Sequence, residues 1–189
     1  RLLAACDRRP TPMLGWIVRL ALQTAMSKDE LLKGRRQDLD LKTRVVVIPK
    51  NLNRPLRRVP LSREATRIYR ELLGHPDRPD NEELLFYGAM GSLGVRRPLA
   101  MDKAFRAVAL QARLKGLRFN DLRHEALSRL AKAGLSEVEI HTLAGLPLPR
   151  GVRPPRRPEV AELVARLDAV GFGMVRSGGR GGGQETLSI

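Results

Sequence analysis

Two Ser-x-x-Glu tetrads, Ser27-Lys28-Asp29-Glu30 and Ser136-Glu137-Val138-Glu139, constrain this chain most tightly, because each fixes where a helix begins. In such a capping box the Ser oxygen accepts from the third backbone N–H while the Glu side chain reaches back to the Ser amide. Around these two starts the apolar residues keep helical spacing. Residues 12–26 carry Met13, Leu14, Ile17, Leu20, Ala21 and Leu22, with Trp16 and Val18 filling the remaining face, which predicts a mostly buried helix with Trp16 in the core. From Ser62, residues Ala65, Ile68, Tyr69, Leu72 and Leu73 share a face up to a stop at Gly74. Further helices are predicted from about Asp102 to Lys115, from Asn120 to Ala133 before Gly134, and from Ser136 through Leu143.

Between the helices, Asp38-Leu39-Asp40-Leu41, then Val45-Val46-Val47-Ile48, then the run from Leu56 to Leu61 read as a small antiparallel hairpin within a sheet from about Asp38 to Leu61. Residues 75–83, with Pro76 and Pro79, read as a loop. The fold class is therefore α+β, mainly helical, with one small antiparallel sheet. Residues 1–146 form one compact domain in this reading. Past Gly145 the pattern changes, as Pro147, Pro149, Pro154, Pro155 and Pro158 interleave with Arg150, Arg153, Arg156 and Arg157. That composition cannot continue a helix and has no apolar side chains for a core. Residues 147–189 thus read as a loosely attached Pro/Arg-rich segment, a short helix over about 159–170, and a disordered Gly-rich tail.

The 189 residues carry 35 Lys and Arg against 20 Asp and Glu, a formal charge of +15. Solubility does not require such an excess, and it favours a polyanionic partner, nucleic acid first. The single Cys6 excludes an internal disulfide framework, no Cys/His cluster has zinc-ligand spacing, and a reducing cytoplasm is the default location. No apolar run is long enough to span a membrane and no secretion signal opens the chain, so a membrane partner is not expected. A start at Arg1 rather than Met suggests a fragment.

The segments "LALQTAMSKDELL", "DLDL", "VVVIPKNLNRPLRRVPLS" and "LRFNDLRHEALSRLAKAGLSEVEIHTLAG", in that order, resemble the catalytic domain of tyrosine recombinases, the phage-integrase family, over roughly residues 1–146. "DLRH" at a helix start followed by "RLAKAGLSEVEI" is the most specific piece. The resemblance implies a mostly helical domain whose small sheet helps it clasp one face of double-stranded DNA, with other recombinase subunits as further partners and without metal or other cofactor. It also implies a chemistry. A Tyr hydroxyl attacks a DNA phosphate to give a 3′-phosphotyrosyl link, and a free 5′-hydroxyl later reverses the step. Two Arg guanidiniums and a His or Trp donor meet the charge on the nonbridging oxygens, a hairpin Lys protonates the leaving oxygen, and a His three residues before the second Arg assists.

Carried over residue by residue, the resemblance retains Arg123, followed by His124, and places Lys50 at the hairpin Lys. Arg123 takes a phosphate-facing role, Lys50 a catalytic one, and His124 a secondary one. Elsewhere the pattern is broken. Ser27, which also reads as a plain helix N-cap, stands where the family has its first Arg, and Lys28 beside it points about 100° away around the helix. Asn120 stands in place of the His and reads equally as an N-cap. Leu146 stands in place of the late donor, and Pro155 lies where the nucleophile belongs. Tyr69 and Tyr87, the two tyrosines of the chain, lie upstream in packing positions. Arg54, Arg57 and Arg58 read as DNA-binding residues or as a solvated basic strand. A local reading-frame disruption, later restored, would explain the Pro and Arg codons after Leu146.

The resulting expectation is a site-specific recombinase-family domain that binds DNA and cannot cleave it. One alternative is an active strand-transferase whose Tyr comes in trans from a partner subunit; another is a basic RNA-binding module, disfavoured by the scarcity of exposed aromatics for base stacking.

Overall fold

The computed structural model describes residues 1–50, 56–148, 151 and 160–169. Its centre is α2 (Met13–Thr24), the segment with the densest apolar pattern, where Ile17, Val18 and Leu20 are fully buried. A helix buried on nearly every side needs neighbours all round. They are α1 (Leu2–Asp7), α3 (Lys28–Lys33), α4 (Arg63–Leu73) and α6 (Phe119–Lys132). Cys6 of α1 is buried, and burial pushes its thiol up to about 11, which keeps it protonated and inert at neutral pH.

Both tetrads form the capping boxes expected of them, Ser27 opening α3 and Ser136 opening α7 (Glu137–Ala144). The sheet segment is fuller than a hairpin. Strands β1 (Leu39–Asp40), β2 (Val45–Ile48) and β3 (Arg57–Pro60) make a three-stranded antiparallel meander in that order, with Val46 opposite Val59 and Ile48 opposite Arg57. A second hairpin, β4 (Tyr87–Met90) with β5 (Arg96–Pro98), corrects the reading of a single hairpin. Its strands are largely solvated, so alternation of apolar and polar residues could not mark them.

Two helix boundaries also move. α5 (Asp102–Gln111) stops short of Lys115, because Arg113 takes a left-handed conformation at φ 60. α6 starts at Phe119, and the Arg118 amide donates to the Asp121 carboxylate at 2.8 Å, so Asn120 lies inside the first turn and is not the N-cap.

The expectation of a loosely attached tail fails for α8 (Val160–Ala169). Leu163 and Leu167 are buried in a smaller apolar cluster with Ala126, Leu130, Leu135 and Leu143. Asp168 takes a bidentate pair from Arg44 at 2.8 Å and the Arg63 amide at 2.8 Å, and Arg166 pairs with Glu139 at 2.6 Å. The Pro/Arg-rich stretch and the Gly-rich tail lie outside the described residues. No helix among the described residues is long and apolar enough to cross a membrane.

Tyr69 is fully buried in α4 and its hydroxyl has no hydrogen-bond partner among the described residues. A buried hydroxyl without a partner carries its full desolvation cost. Tyr69→Phe is therefore expected to raise stability by about 1 kcal/mol in a denaturant titration.

Candidate functional site

The site grows from the start of α3. Ser27 ends the turn after α2 in an extended conformation, and its hydroxyl accepts the Glu30 amide while its own amide donates to Glu30 Oε2 at 2.7 Å. Ser27 is thereby committed to capping, and Glu30 is held pointing back over the helix start.

β3 brings the second member. In a strand successive side chains alternate between faces, so Arg57 shares the inner face with Val59 and Arg58 points outward. This corrects the reading of a uniformly solvated basic strand: Arg57 is 6% exposed, whereas Arg58 is exposed. The Arg57 guanidinium forks onto Glu30, Nη1 to Oε1 at 2.5 Å and Nη2 to Oε2 at 3.0 Å, while its Nε donates to the Leu143 carbonyl at 2.9 Å.

α6 brings the third. Arg123 is 6% exposed, its Nη2 donates to the Ala144 carbonyl at 2.5 Å, and its Nη1 lies 3.6 Å from Glu30 Oε2. Two guanidiniums from different elements thus converge on one carboxylate and on the last carbonyls of α7. Burial alone would raise the Glu30 carboxyl, but hydrogen bonds from Arg57 and Ser27 outweigh it and hold the group at about 2. Gly145 ends α7 at φ 64, and a Cβ there would stand 3.0–3.1 Å from Arg57 atoms, so the position excludes a side chain on two grounds.

The other sequence-derived positions do not join this cluster. Lys50 is exposed just past β2, and Arg54 and Pro155 lie outside the described residues. His124, next to Arg123 on α6, faces solvent. Leu146 is half-buried against the smaller apolar cluster. Asn120 is exposed and lines, with Lys28, a groove of about 670 Å³ between α5 and the start of α6; neither Lys50 nor Arg123 lines it. Lys28 itself pairs with Asp102 at 3.0 Å. Tyr69 is in the core, and Tyr87 donates its hydroxyl to the Asp77 carbonyl at 3.1 Å, with the Arg78 and Arg96 guanidiniums 5.5 and 5.1 Å from its ring centroid. Among the described residues no group of His, Cys, Asp and Glu side chains could hold a metal ion.

Sequence reasoning did not single out Glu30 and gave Arg57 the wrong surroundings. Two signals were present. Glu30 closes a capping box, which sets its direction, and Arg57 is two residues from an apolar strand position.

The sequence matches the phage integrase family over residues 1–146. The shufflon-specific DNA recombinase of Escherichia coli is 32% identical over 172 residues, which are 89% of this chain and 41% of that protein. This chain therefore spans about two-fifths of that relative's length. Similar solved structures include the Tn1549 transposon integrase in complex with a circular intermediate DNA, with a TM-score of 0.60, 18% identity, and coverage of 76% of this chain and 54% of that one. The XerA recombinase gives a TM-score of 0.59 at 17% identity, covering 76% of this chain and 51% of that one. At these identities the two structures establish a shared fold.

Proposed function

The chain belongs to the phage integrase family of tyrosine recombinases, and from that membership we propose that it binds double-stranded DNA as a recombinase catalytic domain that does not itself cut the strand. The observation that carries this reading is the buried Glu30. Its carboxylate lies where Arg57 and Arg123 converge, so both guanidiniums are paired with an internal anion and donate to backbone carbonyls. Ser27 is used as a cap, Asn120 cannot shuttle a proton, Leu146 has no side-chain donor, and neither tyrosine hydroxyl reaches the cluster.

Binding needs less than cleavage does. Exposed cations neutralise phosphates and release condensed counterions without any preorganised transition-state site. Lys50 and Arg58, both exposed at the β2–β3 side, are the described members of the proposed DNA contact, with Arg54 joining them from the sequence reading. Arg123 retains its proposed phosphate contact only where DNA approaches close enough to compete with Glu30. Other recombinase subunits are proposed as partners on the same duplex, and the cytoplasm as the site of action.

Salt titration of duplex binding tests the reading. With about four phosphate contacts, affinity should fall about 100-fold between 50 and 200 mM salt. Arg58→Ala should make the log–log slope shallower by about 1. Affinity independent of salt, or a preference for structured RNA over duplex in competition, would refute a DNA-facing role.

A further inference from the structure

His75 holds a position that DNA binding leaves unexplained. It follows α4 at the head of the loop that leads to β4, and its half-buried imidazole meets Trp16 of α2 edge to face, with ring centroids 5.3 Å apart. The Asp77 amide donates to its Nδ1 at 3.3 Å, which places the proton of the neutral ring on Nε2. Asp77 is held on its other side as well, because its carbonyl accepts the Tyr87 hydroxyl at 3.1 Å. Past Asp77 the loop is pinned. The buried Arg78 guanidinium donates to the carbonyls of Glu82, Leu84 and Leu85 at 3.0, 2.8 and 3.1 Å, and the Arg78 amide donates to the His75 carbonyl at 2.9 Å. Tyr87 opens β4, with Arg96 of β5 over its ring and paired with Glu82 at 3.4 Å. One residue, Asp77, therefore joins the core at Trp16 to the β4–β5 hairpin.

We propose that His75 is a pH-sensitive joint whose protonation loosens the β4–β5 hairpin from the core. Once Nδ1 carries a proton it no longer accepts, so the Asp77 amide loses its partner and two N–H groups face each other. The nearest acceptor for the new Nδ1–H is the Asp77 carboxylate, whose Oδ2 lies 3.9 Å away, beyond hydrogen-bond reach. Closing that gap turns Asp77, and with it the carbonyl that holds the Tyr87 hydroxyl. The neutral and the charged ring thus favour different arrangements of one residue, as a bistable element requires. The charged groups on the adjoining elements are committed elsewhere. Arg19 of α2 pairs with Asp7 of α1 at 2.6 Å, Glu71 of α4 pairs with Arg67, Arg78 is turned to its carbonyls, and Arg70 of α4 is exposed. From α2 the ring itself meets the uncharged Trp16, so Asp77 is the ionised partner that decides the change. Imidazole is the side chain whose ordinary range, about pH 5–8, makes that change available to a folded protein.

Trp16 is the single tryptophan of the chain, so its emission reports on this contact. An imidazolium against indole quenches it. When the full chain is titrated over about pH 5–8, emission should fall in one single-proton transition as pH drops. That transition should vanish in His75→Gln and persist in His124→Gln/His141→Gln, which removes the other two histidines. Asp77→Asn leaves His75 in place and should move the midpoint to lower pH, because the charged ring loses its carboxylate. Hydrogen exchange then follows the Gly91 amide, bonded to the Val95 carbonyl, and the Leu99 amide, bonded to the Phe86 carbonyl. Between about pH 7.5 and 5.5 their protection should fall about threefold further in the wild type than in His75→Gln, which shares the same intrinsic change in exchange rate. Flat emission across the range, or a transition that survives His75→Gln, would overturn the proposal. So would a Trp16 transition with no extra loss of protection in the hairpin, since His75 would then sense pH without moving anything. Where His75→Gln does not fold, Asp77→Asn serves both comparisons, and an unmoved midpoint or an unchanged loss of protection overturns the joint.

Discussion

Arg57→Ala is expected to cost about 3–5 kcal/mol of unfolding free energy, the largest effect of any single polar substitution in this domain. The side chain is 6% exposed and forks onto a carboxylate whose own side chain is 7% exposed. Removing it leaves Glu30 ionised in a dry site with Arg123 at 3.6 Å as a weaker counter-charge, and leaves the Leu143 carbonyl without its Nε donor. Loss of one partner from a buried pair is costly because the remaining charge stays desolvated, whereas replacing both can be nearly neutral. The double variant Glu30→Gln/Arg57→Met should therefore be more stable than Arg57→Ala, since Gln keeps an acceptor for the Ser27 amide and Met fills the volume. Denaturant titrations of the single and double variants measure this coupling. A cost below about 1 kcal/mol for Arg57→Ala would mean that the network does not hold the site.

The same pair sets an acid limit. Glu30 is held at about 2 against an ordinary value of 4.5, so the unfolded chain takes up its proton first as pH falls. Its contribution is complete above about pH 4.5 and disappears as pH falls toward 2. Wild-type stability should decline more steeply across that interval than the stability of Glu30→Gln.

Much of this architecture could be read in the sequence, and the parts that could not share a physical cause. The starts of α3 and α7 were legible because a capping box is a local device, complete within four residues. α2 and α4 were legible because their apolar spacing repeats over several turns. The family pattern was legible in contiguous motifs, from "DLDL" to "DLRH". Arg57 was misplaced because nothing within its own segment shows that Glu30, 27 residues away in sequence, will neutralise it. The docking of α8 escaped for the same reason: its anchors, Arg44 and Asp168, are 124 residues apart. Asn120 was given the cap by propensity, but the N-cap is Arg118, two residues earlier, whose amide donates to the Asp121 carboxylate. In each case a partner distant in sequence, or a competing residue beside it, outweighed intrinsic preference.

The second large effect is on chemistry. One preorganised donor at a site of developing negative charge is worth about 10²–10³ in rate, and in the function proposed above Ser27, Asn120 and Leu146 stand at the positions of the first Arg, the His and the late donor. Such losses do not simply multiply, but without a nucleophile there is no covalent route at all. Tyr69 would have to leave the core, where burial holds its hydroxyl well above the ordinary phenol range. Tyr87 would have to give up its cation–π contacts with Arg78 and Arg96. The most direct measurement incubates this chain with a nicked suicide duplex, under salt conditions where binding is saturated, and resolves the mixture on a denaturing gel. Free protein and uncut strand, with no covalent adduct, are expected. A slower band that disappears in Tyr69→Phe or Tyr87→Phe would contradict that expectation.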